Sequence, residues 1–262
     1  PGTGKTLSAL APALAHARAE DKTVVITTNV HQQMRQFVQD ARAIADAEPI
    51  RAVVFRGKSS MCHIDVGYEE CQTLRDTARA VVEAETDERE LSDRASALLE
   101  EMRGDGGQPA GESAVGQGTD AADAASAAQA RQAVTDELAA VRDDLDDLRD
   151  ANYCERFAAN LQTDDGPFRQ WLFDDVRTPD DVYDYADERG LCGYELLKTC
   201  MDGVDLVICN YRHLLHPGIR EQFFRWLDRD PADVVTVFDE AHNIEDAARE
   251  NASRTLAEST LE

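Results

Sequence analysis

Residues 234–242 read VVTVFDEAH, and this stretch decides the fold class of the chain. Its first five residues are β-branched or aromatic, a composition typical of a strand buried in a parallel sheet. The apolar run ends at Asp239 and Glu240, so two carboxylates would stand at the carboxyl end of that strand. An ordinary alternative is a helix start, because an Asp-Glu pair often caps a helix. The stretch therefore predicts either an acidic site at the edge of a sheet or a helix cap.

Three other apolar runs precede this strand and have the same character. They lie at residues 23–27 (TVVIT), 52–55 (AVVF) and 204–209 (VDLVIC). Helical patterns separate the runs, as at residues 31–47, and strands that alternate with helices favour a doubly wound sheet. We therefore expect an α/β fold built on a parallel sheet.

The chain opens with PGTGKT at residues 1–6, which matches the end of the phosphate-binding pattern G-x-x-x-x-G-K-[ST]. The first glycine of that pattern would precede residue 1 and the sequence has no initiator methionine, so we expect a fragment that begins inside the motif. Backbone N–H groups of the loop and the helix that follows it hold phosphates. Lys5 would reach the β- and γ-phosphates, and the Thr6 hydroxyl would bind Mg²⁺. The predicted nucleotide-binding residues are Gly2, Thr3, Gly4, Lys5, Thr6 and Asp239.

The acidic strand end complements this loop. Asp239 can hold the Mg²⁺ ion, and Glu240 can polarise the water that attacks the γ-phosphate. His242 could link the nucleotide state to motion elsewhere in the protein. A lone G-K-T has many false positives, whereas its combination with a late strand that ends in D-E-A-H predicts binding of ATP with Mg²⁺. The predicted catalytic residues are Lys5, Asp239, Glu240 and His242.

Composition sets further limits on the function. The 262 residues include 27 basic and 52 acidic side chains, a formal net charge of −25. Such an excess is typical of disordered acidic chains or of proteins from a very salty cytoplasm, and the hydrophobic fraction of 42% favours the salty cytoplasm. The charge argues against a generally basic nucleic-acid coat, and no apolar run approaches the roughly 20 residues of a membrane span. Six cysteines without a signal peptide indicate a cytoplasmic protein.

A long insertion separates the second and third strands, at about residues 59–202. Its middle, residues 104–130, is rich in Gly, Ala, Asp and Gln, and we expect it to be mobile. Apolar residues recur every three or four positions on both sides, at residues 91–102 and 134–148, which indicates two amphipathic helices that form an antiparallel hairpin. Such a hairpin is either a partner-docking arm or a solvated structural spur.

The motifs together resemble those of a known family. The phosphate loop and VFDEAHNI at residues 237–244 resemble the first motor domain of superfamily 2 helicases. NYRHLLHP at residues 210–217 is similar to the XPD branch of iron–sulfur helicases, particularly its archaeal members. The likeness covers nearly the whole chain except about residues 72–150. It implies a RecA-like P-loop motor domain, formed by residues 1–58 and 203–262, that carries an inserted, mostly helical iron–sulfur domain.

The resemblance also implies an activity. Members of this branch use ATP and Mg²⁺ to unwind DNA in the 5′→3′ direction, carry a 4Fe–4S cluster and act in DNA repair. The partners it implies are single-stranded DNA, fork DNA and repair proteins. Within the class, the nearest alternative is a DinG-like iron–sulfur helicase.

The cysteines by themselves give a weak signal. They include no C-x-x-C pair, so their spacing matches neither a zinc ribbon nor a ferredoxin, and buried inert thiols are the ordinary interpretation. The resemblance to the XPD branch instead implies a role for each cysteine. It implies that Cys200 and Cys209 are packing residues and that four others bind the 4Fe–4S cluster. The implied ligands are Cys62, Cys71, Cys154 and Cys192.

The resemblance further implies a path for a DNA single strand across the sheet domain. Residues at the end of the first strand would meet backbone phosphates, two basic residues before Cys62 would form a positive lip near the duplex fork, and one tyrosine could stack on a base. Each has an ordinary alternative, namely a helix cap, a solvated loop or a core position. The implied DNA residues are Thr27, Thr28, Asn29, Arg56, Lys58 and Tyr211.

Two alternatives come from other functional classes. The chain could be an ATP-binding switch or scaffold without unwinding activity, because the arginine finger of a second motor domain is not visible in the sequence. It could also be an acidic helical interaction protein with a fortuitous G-K-T, which the pairing of Lys5 with Asp239 and Glu240 disfavours. Because the arginine finger of a second motor domain is not visible, we expect these 262 residues alone to bind nucleotide but to hydrolyse it very slowly.

Overall fold

A computed structural model describes residues 5–28, 31–104 and 119–252 of the chain. Its strands form one four-stranded parallel sheet in the order β2-β3-β1-β4. The strands are β1 Thr23–Thr28, β2 Ala52–Val54, β3 Leu206–Asn210 and β4 Val234–Phe238. The sheet confirms the predicted α/β class with parallel strands, and the third strand begins two residues later than its apolar run.

Helices make up most of the remaining described residues. None of those in the described ranges is long and apolar enough to cross a membrane. Short 3₁₀ turns lie at Lys58–Ser60, Pro231–Asp233 and Ala241–Asn243. The helices are α1 Lys5–Ala19, α2 His31–Ala45, α3 Tyr68–Gly104, α4 Thr119–Asp150, α5 Glu155–Gln162, α6 Gly166–Phe173, α7 Pro179–Glu188, α8 Gly193–Thr199, α9 Arg212–Leu215, α10 Pro217–Leu227 and α11 Ile244–Ala252.

The chain divides into two compact units. One consists of Pro1–Val66 and Thr163–Glu262 and contains the sheet, and we call it the sheet unit. The other is Gly67–Gln162, which we call the helical unit. The helical unit lies inside the interval that the sequence suggests as an insertion, residues 59–202. The boundaries expected for the insertion remain predictions.

The core of the sheet unit lies between the sheet and the first two helices. Every residue of β1 is buried, as is every residue of β2. Leu10 of α1 and Phe37 of α2 belong to the same apolar cluster as Ile26 and Ile208 of the neighbouring strands. Continuous burial explains why these strands are unbroken β-branched runs rather than alternating ones. By contrast, β4 is half-buried and forms one edge of the described sheet.

A capping box fixes the start of α7. The Thr178 hydroxyl accepts a hydrogen bond from the Asp181 N–H, and the Asp181 carboxylate accepts one from the Thr178 N–H. Pro179 occupies the first helical turn, where its missing N–H costs nothing. The helix ends before Gly190, whose φ of 65° is a conformation that glycine adopts readily. This local sequence holds Asp180 at the beginning of a rigid helix.

The two long helices of the helical unit pack against each other as the predicted hairpin. Arg142 of α4 donates a hydrogen bond to Glu88 of α3 at 2.9 Å, and Arg149 donates one to Glu85 at 2.7 Å. A later residue of α4 thus meets an earlier residue of α3, which defines an antiparallel pair. The buried apolar side chains of the two helices are Ala78, Val81, Val134, Leu138 and Leu145.

The second half of the Gly/Ala/Asp/Gln tract is helical. α4 begins at Thr119, so residues 119–130 of the tract belong to a helix. Seven of those twelve residues are alanine, the best helix former, and helix propensity requires no large apolar side chain. Residues 105–118 lie outside the described ranges.

Candidate functional site

The acidic end of β4 lies at the carboxyl edge of the sheet, beside the end of β1. Asp239 directly follows β4, and its N–H donates a hydrogen bond of 3.0 Å to the Thr27 carbonyl. Asp239 is half-buried, whereas Glu240 is exposed. In open α/β sheets, ligands bind at the carboxyl ends of the strands. The pair therefore stands where a bound ion or phosphate would be expected.

Glu240 has an unusual backbone conformation. Its φ of 49° and ψ of 50° lie in the left-handed region, which costs a side-chain-bearing residue about 1–2 kcal/mol. The other described non-glycine residues with positive φ are all Asp, a type that tolerates this region better. Strained backbone of this kind is found preferentially at active sites. It therefore supports a functional interpretation of the D-E-A-H stretch.

The side chain of Glu240 does not cap a helix. Glu240 is the N-cap of the 3₁₀ turn Ala241–Asn243, but its side chain makes no capping hydrogen bond. Its carboxylate instead lies 3.4 Å from Nδ1 of His242, a contact that becomes an ion pair when the histidine is protonated. The His242 side chain is 71% exposed. Both side chains are thus free of a structural role in starting a helix.

The start of α1 lies at the same edge as the acidic pair. α1 packs on β1 and β4 and leads through a short turn into β1, so it runs antiparallel to the strands with its N-terminus at their carboxyl ends. Thr6 in the first turn is half-buried, and this turn contains no acidic residue that would repel an anion. Gly2, Thr3, Gly4 and the Lys5 side chain lie outside what the structure describes.

Tyr211 does not present the stacking face expected of it. The side chain is 1% exposed, and its ring packs against Phe238 with ring centroids 5.9 Å apart. Its hydroxyl donates a hydrogen bond to the Asp239 carbonyl. Burial, with the nearby Asp239 and Glu240 carboxylates, raises the pKa of the phenol. Tyr211 is therefore a core residue that contacts the acidic strand end.

The end of β1 is also enclosed. Thr27 and Thr28 are fully buried, and the Thr27 hydroxyl has no hydrogen-bond partner in the described residues. Their role as contacts of a DNA backbone stays a prediction. The third member of the set, Asn29, lies outside the described residues.

The two basic residues of the expected positive lip have partners within the sheet unit. Nη1 of Arg56 lies 2.7 Å from a carboxylate oxygen of Asp180, and the Arg56 side chain is only 14% exposed. Arg35 approaches the same carboxylate at 3.8 Å. Lys58 donates a hydrogen bond of 2.6 Å to the Val66 carbonyl. Sequence reasoning missed Asp180 as a partner, because 124 positions separate it from Arg56.

The four expected cluster ligands divide evenly between the two units. Cys62 follows the Lys58–Ser60 turn and Cys192 is the N-cap of α8, both in the sheet unit. Cys71 lies in the first turn of α3, and Cys154 directly precedes α5, both in the helical unit. Among the described residues, no group of three or more His, Cys, Asp or Glu side chains is arranged to hold a metal ion.

The other two cysteines are packing residues, as the sequence led us to expect. Cys200 and Cys209 are fully buried, and burial raises the pKa of both thiols. A thiol that resists deprotonation is a poor metal ligand. By contrast, Cys62, Cys71 and Cys192 are partly exposed, while Cys154 is 9% exposed.

Comparison with known proteins assigns the family. The family model DEAD_2 matches residues 26–261. The chain belongs to the DEAD_2 family. It is 36% identical over 86 residues to "General transcription and DNA repair factor IIH helicase subunit XPD" of Schizosaccharomyces pombe, an alignment that covers 33% of this chain and 11% of that protein.

Two further relatives have related names. The chain is 43% identical over 70 residues to "Fanconi anemia group J protein homolog" of Gallus gallus, which covers 27% of this chain and 5% of that protein. It is 29% identical over 79 residues to "ATP-dependent DNA helicase CHL1" of Kluyveromyces lactis, which covers 30% of this chain and 9% of that protein. The aligned segments thus cover about a tenth or less of the length of these relatives.

Proposed function

We propose that this DEAD_2 chain is the first motor domain of an ATP-dependent DNA helicase of the XPD type. The observation that carries the proposal is the pair Asp239 and Glu240, which lies at the carboxyl edge of a parallel sheet together with the N-terminus of α1. The left-handed backbone of Glu240 supports it. Two of the relatives are named as helicases, which supports helicase activity as the proposed function.

The proposed chemistry is hydrolysis of ATP. Backbone N–H groups of Gly2, Thr3 and Gly4 and the Lys5 ammonium would bind the phosphates, and Thr6 with Asp239 would hold Mg²⁺, which supplies charge neutralisation to the phosphates. Glu240 would orient the attacking water and accept its proton. The exposed carboxylate of Glu240 suits that role, since it is not engaged in a helix cap. His242, whose Nδ1 lies 3.4 Å from the Glu240 carboxylate, would link the nucleotide state to motion elsewhere in the protein.

We also propose that Cys62, Cys71, Cys154 and Cys192 hold a 4Fe–4S cluster, whose ligands are thiolates. The donor chemistry fits, because none of the four described cysteines is held in a disulfide bond. The sequence contexts of Cys62, Cys154 and Cys192 resemble those of the XPD branch. The cluster would join loops that lie far apart in the sequence.

The proposed substrates are single-stranded and fork DNA, unwound in the 5′→3′ direction during DNA repair. Arg56, Lys58 and Asn29 are proposed contacts with the backbone. Thr27, Thr28 and Tyr211 are buried in this structure, so contact of DNA with these three would require the strand ends to open. DNA binding would therefore require Arg56 to exchange its partner Asp180 for a phosphate.

One variant tests the proposed hydrolysis directly. In the full natural polypeptide, Glu240→Gln should reduce kcat for ATP by about 10³-fold while nucleotide binding persists, because only the water-orienting carboxylate is lost. Lys5→Ala should abolish hydrolysis through loss of phosphate binding. Glu245→Gln is the matched control, since it removes the same charge from the exposed first turn of α11. Unimpaired hydrolysis in Glu240→Gln would contradict the assignment.

A second measurement tests the iron–sulfur proposal. Anaerobically purified protein should contain about four iron and four sulfide per chain, as the proposed cluster requires, and should show a visible absorption band of iron–thiolate character. Cys62→Ser or Cys192→Ser should lower the iron content, whereas Cys200→Ser should not. Zinc in place of iron, or no metal at all, would exclude this branch of the family.

An ATP-binding switch without unwinding activity is the second candidate. It is favoured by the enclosure of three of the residues that the resemblance assigned to DNA, Thr27, Thr28 and Tyr211. Addition of single-stranded DNA distinguishes the two functions. A helicase should hydrolyse ATP at least several-fold faster with DNA present, and a switch should not respond.

A further inference from the structure

Tyr211 joins the ends of three strands. It follows β3, its N–H donates a hydrogen bond of 3.3 Å to the Thr28 carbonyl at the end of β1, and its hydroxyl donates one to the Asp239 carbonyl after β4. The ring is enclosed against Phe238, the last residue of β4. A buried ring has few alternative positions, so the hydroxyl is aimed at one carbonyl by the packing of the side chain.

The carbonyl that receives this bond belongs to the peptide that joins the two acidic residues. The Asp239 carbonyl and the Glu240 N–H belong to one planar peptide unit, whose orientation fixes ψ of Asp239 and φ of Glu240. The preceding peptide is already held, because the Asp239 N–H donates to the Thr27 carbonyl at 3.0 Å. The hydroxyl of Tyr211 therefore secures the second side of Asp239.

The conformation of Glu240 makes this second bond important. A left-handed Glu persists only where the surroundings determine it, and Glu240 has a φ of 49°. On its other side, the Glu240 carbonyl accepts a hydrogen bond of 2.9 Å from the Asn243 N–H. Without the Tyr211 hydroxyl, the peptide before Glu240 would lose one contact that opposes its rotation to the ordinary region.

We propose that Tyr211 is a positioning residue for ATP hydrolysis, whose hydroxyl orients the Asp239–Glu240 peptide so that Asp239 faces Mg²⁺ and Glu240 faces the attacking water. The inference rests on the proposed function and deepens it. Tyr211 itself touches neither nucleotide nor metal. Its effect is therefore expected on the metal requirement and on the rate of the chemical step, and not on nucleotide affinity.

The test is Tyr211→Phe in the full natural polypeptide, because Phe keeps the ring against Phe238 and removes only the donor. We expect kcat for ATP to fall about tenfold, which corresponds to the loss of one hydrogen bond in the transition state. The Mg²⁺ concentration for half-maximal rate should rise several-fold. Nucleotide affinity measured without Mg²⁺, and the melting temperature, should stay close to those of the unmodified protein.

Two further proteins complete the design. Tyr211→4-aminophenylalanine restores a donor at the same end of the ring and should recover most of the rate and the Mg²⁺ affinity, which a purely structural role would not produce. Tyr185→Phe, which removes a hydroxyl in α7 and keeps the ring stacked on Trp171, should behave like the unmodified protein.

The outcomes separate this inference from the proposed function. If Glu240→Gln is inactive but Tyr211→Phe keeps both its rate and its Mg²⁺ requirement, the positioning role is wrong and the function stands. A Phe variant that loses its rate only together with its fold, or that the amino analogue fails to rescue, would also overturn the role. If Glu240→Gln itself hydrolyses ATP normally, the proposed function fails first.

Discussion

The sheet unit and the helical unit bury their side chains to very different extents. All six residues of β1 are buried, whereas the described side chains of α3, a helix of 37 residues, include only two buried ones, Ala78 and Val81. The helical unit also has the larger excess of acidic over basic side chains. Residues 67–162 carry 23 acidic and nine basic side chains, and the rest of the chain carries 29 acidic and 18 basic ones.

The difference shows that the acidic composition says little about the candidate site. More than half of the net charge belongs to a helical hairpin in which most side chains face solvent, where added carboxylates displace no apolar contact. The acidic residues that matter for the proposed chemistry, Asp239 and Glu240, are two carboxylates held by the backbone of the sheet unit. Apolar burial supports that unit, while helix propensity and ion pairs contribute more to the hairpin.

The largest expected effect separates the two units by their cores. Ile26→Ala should lower the free energy of unfolding of the sheet unit by about 4 kcal/mol, because the side chain is fully buried between β-strands and helices. Leu145→Ala in α4 should cost about 2 kcal/mol, since the thin hairpin can close partly around the gap. Urea unfolding measures both values.

Hydrogen exchange locates these effects. Ile26→Ala should accelerate exchange in the four strands, and Leu145→Ala should accelerate it only in α3 and α4. If Leu145→Ala accelerates exchange in the strands to the same extent, the two units unfold as one, and the contrast drawn from burial is wrong.

The second effect is a response of the sheet unit to acid. Burial is the main cause that lowers the pKa of His213 to about 4, from an ordinary value of 6.5. Between these values the unfolded chain binds a proton that the folded chain rejects, so stability falls as the pH drops from 6.5 to 4. The shift corresponds to at most about 3 kcal/mol. The ring of His213 packs against Phe55 in a T-shaped arrangement, so protonation of His213 would destabilise the core of the sheet unit.

The measurement compares unfolding free energies at pH 7 and pH 4.5. His213→Phe should reduce the loss between these two pH values by 2 kcal/mol or more, an estimate of about two-thirds of the full shift. His16→Gln, on the exposed side of α1, should leave the loss unchanged. An unaltered loss in His213→Phe would show that His213 does not resist protonation in the folded protein.

Part of the fold could be predicted from the sequence because β1, β2 and most of β3 are continuously buried. A continuous β-branched run such as residues 23–27 has few other interpretations, and the D-E-A-H stretch marks its own strand end. The hairpin could be predicted equally well, since apolar residues at helical spacing indicate which face of each helix is buried. The helix at residues 119–130 was not predicted, because these residues include few large apolar side chains that would mark a helical face, whereas their alanines favour a helix.

The contacts of the candidate site could not be predicted in the same way. The bonds from Tyr211 to Asp239 and from Arg56 to Asp180 join residues 28 and 124 positions apart, and no local pattern records them. Tyr211 follows a strand end, where a tyrosine can face either solvent or the core. Only packing decides between stacking on a base and bonding to a carbonyl.

The smallest expected effect is a response of the hairpin to salt. Because residues 67–162 carry more acidic than basic side chains, repulsion between carboxylates exceeds the attraction between opposite charges there. The run Asp143, Asp144, Asp146 and Asp147 of α4 is an example. Raising KCl from about 0.1 M to about 1 M shortens the screening length from about 10 Å to about 3 Å. We therefore expect amide exchange in α4 to slow by about threefold, with a smaller change in the strands.

Salt also weakens the ion pairs that join the two helices, from Arg149 to Glu85 and from Arg142 to Glu88. Their exposure makes each of them a weak contributor, so the loss should not cancel the gain. A variant with Asn at the four aspartates of the run should lose much of the salt response, whereas Arg142→Gln should enlarge it. Faster exchange of α4 at about 1 M KCl would show instead that the ion pairs outweigh the repulsion. The charges would then stabilise the hairpin rather than destabilise it.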